Sequence, residues 1–189
     1  MSERIVVVDD EPITRMDIRD ILEHAGYQVV GEGGDGFEAI DACQKQKPDL
    51  VIMDIRMPLL DGLKAGKKIM EDHLAGSIIY LSAYSDLEDT ETAGRVGAVG
   101  YLVKPLSERS LLTTIQFGLA HNKKTRELSN EVDDLSTKLE ERKVIERAKG
   151  ILMEENSLSE SAAYKMLRNL SMSKRQSMSA IAELIVMDA

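Results

Sequence analysis

A chain of 189 residues, 43% apolar and with a formal net charge of −9, is long enough for one ordinary domain and a smaller second one. It has no apolar run near the roughly 20 residues of a membrane span. There is no charged-then-apolar leader in MSERIVVVDD and no second cysteine for an internal disulfide, which together predict a cytoplasmic protein. Charge is uneven: residues 1–121 carry 21 acidic and 12 basic side chains, whereas 142–176 hold 8 basic against 4 acidic. An acidic front and a locally basic back point to two jobs.

The first 121 residues alternate between apolar runs and helical periodicity. Strands are predicted at 4–9, 28–33, 49–54, 77–82 and 99–103, and helices at 12–26, 36–46, 62–73, 86–97 and from Ser107. Cys43 shares a helix face with Ile40 and is read as a core thiol. This alternation predicts an α/β fold, a doubly wound five-stranded parallel sheet, with ligands at the carboxyl ends of the strands. Residues 111–120 are apolar enough to pack on that sheet, whereas 121–127 have no apolar stripe and suit an exposed helix or a hinge.

Leu128, Val132, Leu135 and Leu139 then step by four, three and four, a seam of two heptads with charges around it. It fits either pairing with a second copy or packing on its own domain. Two capping boxes, Ser157–Glu160 and Ser173–Gln176, predict helix starts near 158 and 174 and a small three-helix unit. The expected division is 1–121, a helical linker at 122–141, and 142–189.

The strand ends carry the chemistry. Asp9 and Asp10 end the first strand, Asp54 the third and Ser82 the fourth, and Lys104 the fifth, so all project from one edge. Three converging carboxylates repel, and unpaired burial is costly. A hard cation resolves this: Mg²⁺ takes about six oxygens and keeps some waters. Asp10, Asp54 and the Arg56 carbonyl would supply oxygens directly, and Asp9 through water. Asp54 then becomes a nucleophile toward phosphorus, with Lys104 and the Ser82 hydroxyl covering phosphoryl oxygens. Glu11 is read as a helix cap or dipole complement.

VVVDDE, VIMDIRMPLLDG, YLSAY and GYLVKP resemble the receiver domain of bacterial two-component response regulators over about residues 3–120. The resemblance implies a flavodoxin-like fold, phosphorylation of Asp54 by a histidine kinase, Ser82 and Tyr101 as switch residues, a cis peptide before Pro105, and dimerisation on phosphorylation. The tail resembles the ANTAR domain of transcription antiterminators over about 135–187, through AKGILM (148–153), Ala162, Ala163, Leu167 and Arg168. Ser171 departs from that pattern. This second resemblance implies binding to paired RNA stem-loops that prevents transcription termination. Among ANTAR regulators, one controlling ethanolamine utilisation is the expected kind.

Physical chemistry adds a basic collar: Arg142, Lys143, Arg147 and Lys149 on one helix, and Lys165, Arg168, Lys174 and Arg175 beyond it. Gly150 costs a helix about 0.8–1 kcal/mol relative to alanine. It is read either as a point of close backbone approach by RNA or as tight helix packing. Tyr164 is either a base-stacking ring or a half-buried core residue. The tail has no cysteine and no glycine-rich phosphate loop, so a catalytic output is not expected. The rival readings are a phosphorylation-gated protein adaptor and a DNA-binding regulator.

Overall fold

The structure, a computed structural model, describes residues 2–83 and 87–188, and the side chains of all of these but 87–89. Tyr84 of YLSAY and the expected helix start at 86 lie outside the described residues. The chain divides into two compact units at 126/127.

In the first unit, apolar runs become strands β1 (Arg4–Val8), β2 (Gln28–Gly33), β3 (Leu50–Asp54), β4 (Ile78–Ser82) and β5 (Gly100–Val103). They pair in parallel in the order β2-β1-β3-β4-β5. Between them run α1 (Pro12–His24), α2 (Gly36–Gln46), α3 (Gly62–Glu71) and α4 (Leu87–Val96). β1, β3 and β4 read as near-continuous apolar runs because helices cover both faces. One face packs Ile18 and Leu22 of α1 with Leu111 and Ile115; the other packs Ala39 and Cys43 of α2 with Ala65 and Ile69 of α3. Burial pushes the Cys43 thiol up to about 12, as suits a core thiol.

Local chemistry sets the helix starts on the functional side. Pro12 opens α1 at a position where a missing N–H costs nothing. Asp35 caps α2 by accepting from Phe37 and Glu38 N–H at 2.7 and 2.9 Å, and Glu38 returns a bond to Gly34 N–H at 2.7 Å. Asp61 caps α3 through Lys64 N–H at 2.9 Å. Gly62 follows because a Cβ there would stand 2.0 Å from the Asp54 carbonyl oxygen, so only glycine lets the loop return beneath β3.

The last helix of the first unit does not stop. α5 runs from Glu108 to Asn156, 49 residues, so residues 121–130 are helical. At the end of β3 opposite Asp54, Asn122 donates to the Asp49 carbonyl at 3.1 Å, tying α5 to the sheet.

The second unit comprises the rest of α5 with α6 (Glu160–Lys174) and α7 (Met178–Asp188). Its buried centre is Ala148, Leu152, Ala163, Leu167 and Ala182. Three of those five are alanines, and the larger apolar side chains packed around them, such as Val144, Ile145, Met178 and Ile185, are only partly buried. Both helix starts fall later than the capping boxes predict. Ser157 sits at φ 53° and ends α5 instead, while Ser159 caps α6 through Ala162 N–H. Ser173 lies inside α6 and donates to the Leu170 carbonyl; Arg175 at φ 54° ends the helix, and Ser177 caps α7 through Ala180 N–H. A serine-rich stretch offers several equivalent caps, and sequence spacing does not choose among them.

Among the described residues no helix is long and apolar enough to cross a membrane.

Candidate functional site

Strand register builds the first site. Val8 pairs with Met53, so the next residues, Asp9 and Asp54, emerge side by side from adjacent strands. Ser82 pairs with Val103, which delivers Lys104 one step beyond. The carboxylates of Asp9, Asp10 and Asp54 each offer an oxygen, and these lie within 4.8 Å of one another. Asp9 and Asp54 are buried, Asp10 is exposed, and Ser82 is buried. Lys104 Nζ reaches Asp54 Oδ2 at 2.5 Å and Asp9 Oδ2 at 2.7 Å. The peptide before Pro105 is cis.

Main-chain donors fix the carboxylates. Glu11 N–H donates to Asp9 Oδ1 at 3.0 Å, and Arg56 N–H to Asp54 Oδ1 at 3.2 Å. Lys104 Nζ faces the buried Asp9 Oδ2 as an ion pair, and among the described residues no other group is bonded to that oxygen. Burial is the main reason the Asp9 carboxyl is held above the ordinary range; Lys104 and the Glu11 N–H oppose it, and the Asp54 charge adds to it. Burial would also lower the Lys104 ammonium, but the bonds to Asp54 and Asp9 together hold it above the usual lysine value. Three carboxylates and one ammonium leave the cluster two charges short of neutral.

These features fit a hard divalent cation. The donors are all oxygen, one buried carboxylate oxygen is met only by the Lys104 charge among the described residues, and Asp10 opens to solvent where waters could complete the shell.

The second surface lies on the other unit. Arg142, Arg147, Lys165, Arg168, Lys174 and Arg175 are exposed, and among the described residues no hydrogen bond or ion pair of their side chains is found. Lys174 and Arg175 also stand at the carboxyl end of α6, where the helix dipole favours cations. Lys143 is exposed but paired with Glu140 at 2.7 Å. Lys149 differs: its side chain is only 8% exposed, and its ammonium bonds Glu146 at 2.8 and 3.0 Å and Glu160 at 2.8 Å. Of the cations expected to form the collar, Lys149 is therefore the one whose ammonium is already engaged by two carboxylates. A Cβ on Gly150 would meet nothing within 4 Å, so packing inside the unit does not explain this glycine. Tyr164 is 43% exposed and lies outside the buried core. Leu128, Val132, Leu135 and Leu139 are 48–60% exposed, so the chain does not cover its own seam.

Comparison with known proteins finds a match for each part of the chain. Residues 5–116 match the response regulator receiver domain, and residues 133–186 match the ANTAR domain. The transcriptional regulatory protein PdtaR of Mycobacterium tuberculosis is 39% identical over 186 residues, covering 98% of this chain and 90% of PdtaR.

The chain belongs to the response regulators.

Chemotaxis protein CheY of Thermotoga maritima is 40% identical over 105 residues, 56% of this chain and 88% of that protein. A CheY-like receiver domain from Methanospirillum hungatei superposes with a TM-score of 0.62 at 27% identity, covering 66% of this chain and 99% of the other. The family assignment therefore rests on the whole chain, and the fold of its first part on solved receivers. These relatives do not tie the regulator to ethanolamine utilisation.

This response regulator holds two site features that sequence reasoning missed. Arg15 Nη1 donates to the Asp9 carbonyl at 2.6 Å and its Nε lies 3.4 Å from Glu32, so it braces the loop carrying the acidic pair. Arg15 stands four residues after Glu11 on α1, a spacing that points it back at the strand end. The Lys149 clamp was the other; Glu146 three residues before it was the legible signal.

A pH prediction follows from Asp9. Its folded pKa is raised, so the folded protein holds this proton more tightly than the unfolded chain does. Between 3.8 and the raised value, stability falls as pH rises, and at neutral pH ionised Asp9 is destabilising. Without divalent cation, Asp9→Asn should stabilise the receiver at neutral pH. The gain should shrink as pH falls toward the Asp9 pKa. Millimolar Mg²⁺ should raise the melting temperature of the wild type and leave that of the variant nearly unchanged. Thermal melts across pH, with and without Mg²⁺, measure all three.

Proposed function

We propose that this response regulator accepts a phosphoryl group on Asp54 from a histidine kinase in the cytoplasm and thereby turns on RNA binding by its ANTAR domain. The observation that supports it most is the convergence of Asp9, Asp10, Asp54 and Lys104 at one sheet edge, in a chain whose other unit carries exposed cations.

In this reading an Asp54 oxygen bonds to phosphorus as the bond to the kinase imidazole breaks. Asp10, Asp54 and the Arg56 carbonyl would hold Mg²⁺ directly, and Asp9 through water. The ion would supply charge neutralisation at the phosphoryl oxygens. Lys104, already against Asp54, would cover another oxygen and Ser82 a further one. The Ser82 hydroxyl moves toward the new group, and Tyr101, half-buried in β5, turns inward. The receiver then pairs with a second copy, and the exposed Leu128–Leu139 seam closes against its partner as a short coiled coil. Two ANTAR units would engage two RNA stem-loops and so keep a terminator from forming. Linking two weak sites raises effective concentration, and with it overall affinity, without a new contact.

Arg142, Arg147, Lys165, Arg168, Lys174 and Arg175 would meet phosphates, with Lys143 joining once its surface pair exchanges. Gly150 would let the transcript approach the α5 backbone. No further catalysis is assigned to the tail.

Light scattering of the full chain, with and without a small-molecule phosphoryl donor and a two-hairpin RNA, tests the scheme. A monomer that becomes a dimer with donor, and a dimer that binds one RNA, supports it. A mass unchanged by the donor counts against phosphorylation-driven pairing.

Gly150→Ala gives a result of opposite signs. Nothing in the unit blocks the added methyl, so stability should rise by about 0.8–1 kcal/mol. RNA affinity should fall, because the methyl occupies the approach. Thermal melts and filter binding on one preparation would show both. A variant that gains stability and binds RNA as before would remove Gly150 from the interface.

A further inference from the structure

We propose that Lys149 is a positioning residue that ties α6 to α5 and so sets where the free cations of α6 stand, without itself touching RNA. This inference rests on the RNA-binding reading of the ANTAR unit.

The geometry is specific. Glu146 lies one turn before Lys149 on α5, and Glu160 is the first residue of α6, 11 positions on in the chain. One ammonium therefore bridges two helices across the bend that Ser157 makes at positive φ. The side chains of Glu146 and Glu160 are 55% and 70% exposed, whereas Lys149 is 8% exposed. The carboxylates keep much of their hydration while the ammonium gives its water up to them. The trio carries a net charge of −1, so an approaching phosphate meets acid rather than base. That is the wrong sign for a polyanion contact.

The packing explains why a clamp matters here. The buried centre of the unit is small and rich in alanine, and the larger side chains packed around it, Val144 and Ile145 of α5 and Met178 and Ile185 of α7 among them, are only partly buried, so a polar tie between α5 and α6 adds to the packing that sets the angle of α6. Lys165 and Arg168 ride on α6, exposed and without an intramolecular partner among the described residues. A few degrees of tilt at Glu160 would move both relative to Arg142 and Arg147 on α5.

Glu160→Gln isolates the clamp, because Lys149 keeps Glu146 and no buried charge is orphaned. The two readings then predict opposite signs. Removing a negative charge beside a polyanion site tightens binding in general. If Glu160 instead holds α6 in place, binding weakens. The probe is a two-hairpin RNA selected from a randomised-loop pool by the phosphoryl-donor-treated full chain, with affinity measured across a salt series below the melting temperature of every variant. Glu155→Gln, an exposed acid outside the clamp, is the charge control.

The expected result is that Glu160→Gln binds about threefold or more weakly at an unchanged salt slope, while Glu155→Gln binds as well or better. The charge swap Lys149→Glu with Glu160→Lys should recover binding that Lys149→Glu alone loses. Equal or tighter binding by Glu160→Gln overturns the proposal. So does a slope lowered by about 0.7–0.9 in Lys149→Met, the signature of a lost phosphate contact. If the wild type selects no RNA, the RNA reading itself fails. Hydrogen exchange in α6 then still decides the clamp: faster exchange in Glu160→Gln keeps it, and unchanged exchange removes it.

Discussion

Asp54→Asn should abolish acyl phosphate formation while leaving the receiver folded. The amide has the size and shape of the carboxylate but no nucleophilic oxygen anion, so incorporation of label from a phosphoryl donor should fall to background. Asp54 Oδ2 is also the nearest acceptor of the Lys104 ammonium, and Asp9 keeps Lys104 paired when that charge is lost. The variant should therefore melt at or above the wild-type temperature, since it lowers the repulsion among three clustered carboxylates. It should also fail to dimerise when the donor is added. Labelling at the wild-type level would assign the nucleophile elsewhere. Labelling lost together with the folded structure would show only that the cluster is structural, and the melt separates the two cases.

Reversing two free cations, Arg147→Glu with Arg168→Glu, should weaken RNA binding by about 100-fold or more at moderate salt and reduce the salt slope by about 1.4–1.8. Both side chains are exposed and without an intramolecular partner among the described residues, so the change breaks no ion pair in the unit. One lies on α5 and the other on α6, which makes the pair a test of the collar as a whole. Dimerisation should survive, because neither residue belongs to the Leu128–Leu139 seam. A variant that dimerises and binds RNA as tightly as the wild type would favour the adaptor reading. Duplex DNA competing as well as hairpin RNA at one salt concentration would favour the DNA-binding reading.

Five strand runs and their ordered charged ends were legible in the sequence, because period and turn chemistry are local. A buried parallel strand reads as a run of Val, Ile and Leu, and a helix start reads as Pro12, Asp35 or Asp61. The receiver resemblance came from the same strand ends. Helix starts in the tail were misread because 171–179 offers several serines, and the structure used Ser177. The collar was read as a set of equal cations because charge is visible in a sequence and pairing is not. Lys149 and Arg168 look alike as letters; one is buried between two carboxylates and the other is exposed.

By itself, then, the sequence determined the class of sheet, the residue types at its functional edge and the family of each part, since these depend on short-range pattern and composition. Only the tertiary structure decided which oxygens meet and which charges are already engaged: Lys104 shared between Asp9 and Asp54, Lys149 withdrawn into a clamp. The reason is that electrostatic interaction falls off with distance and grows with burial. Both quantities are set by residues tens of positions apart, such as Asp9, Asp54 and Lys104, which only the folded register brings to a common edge.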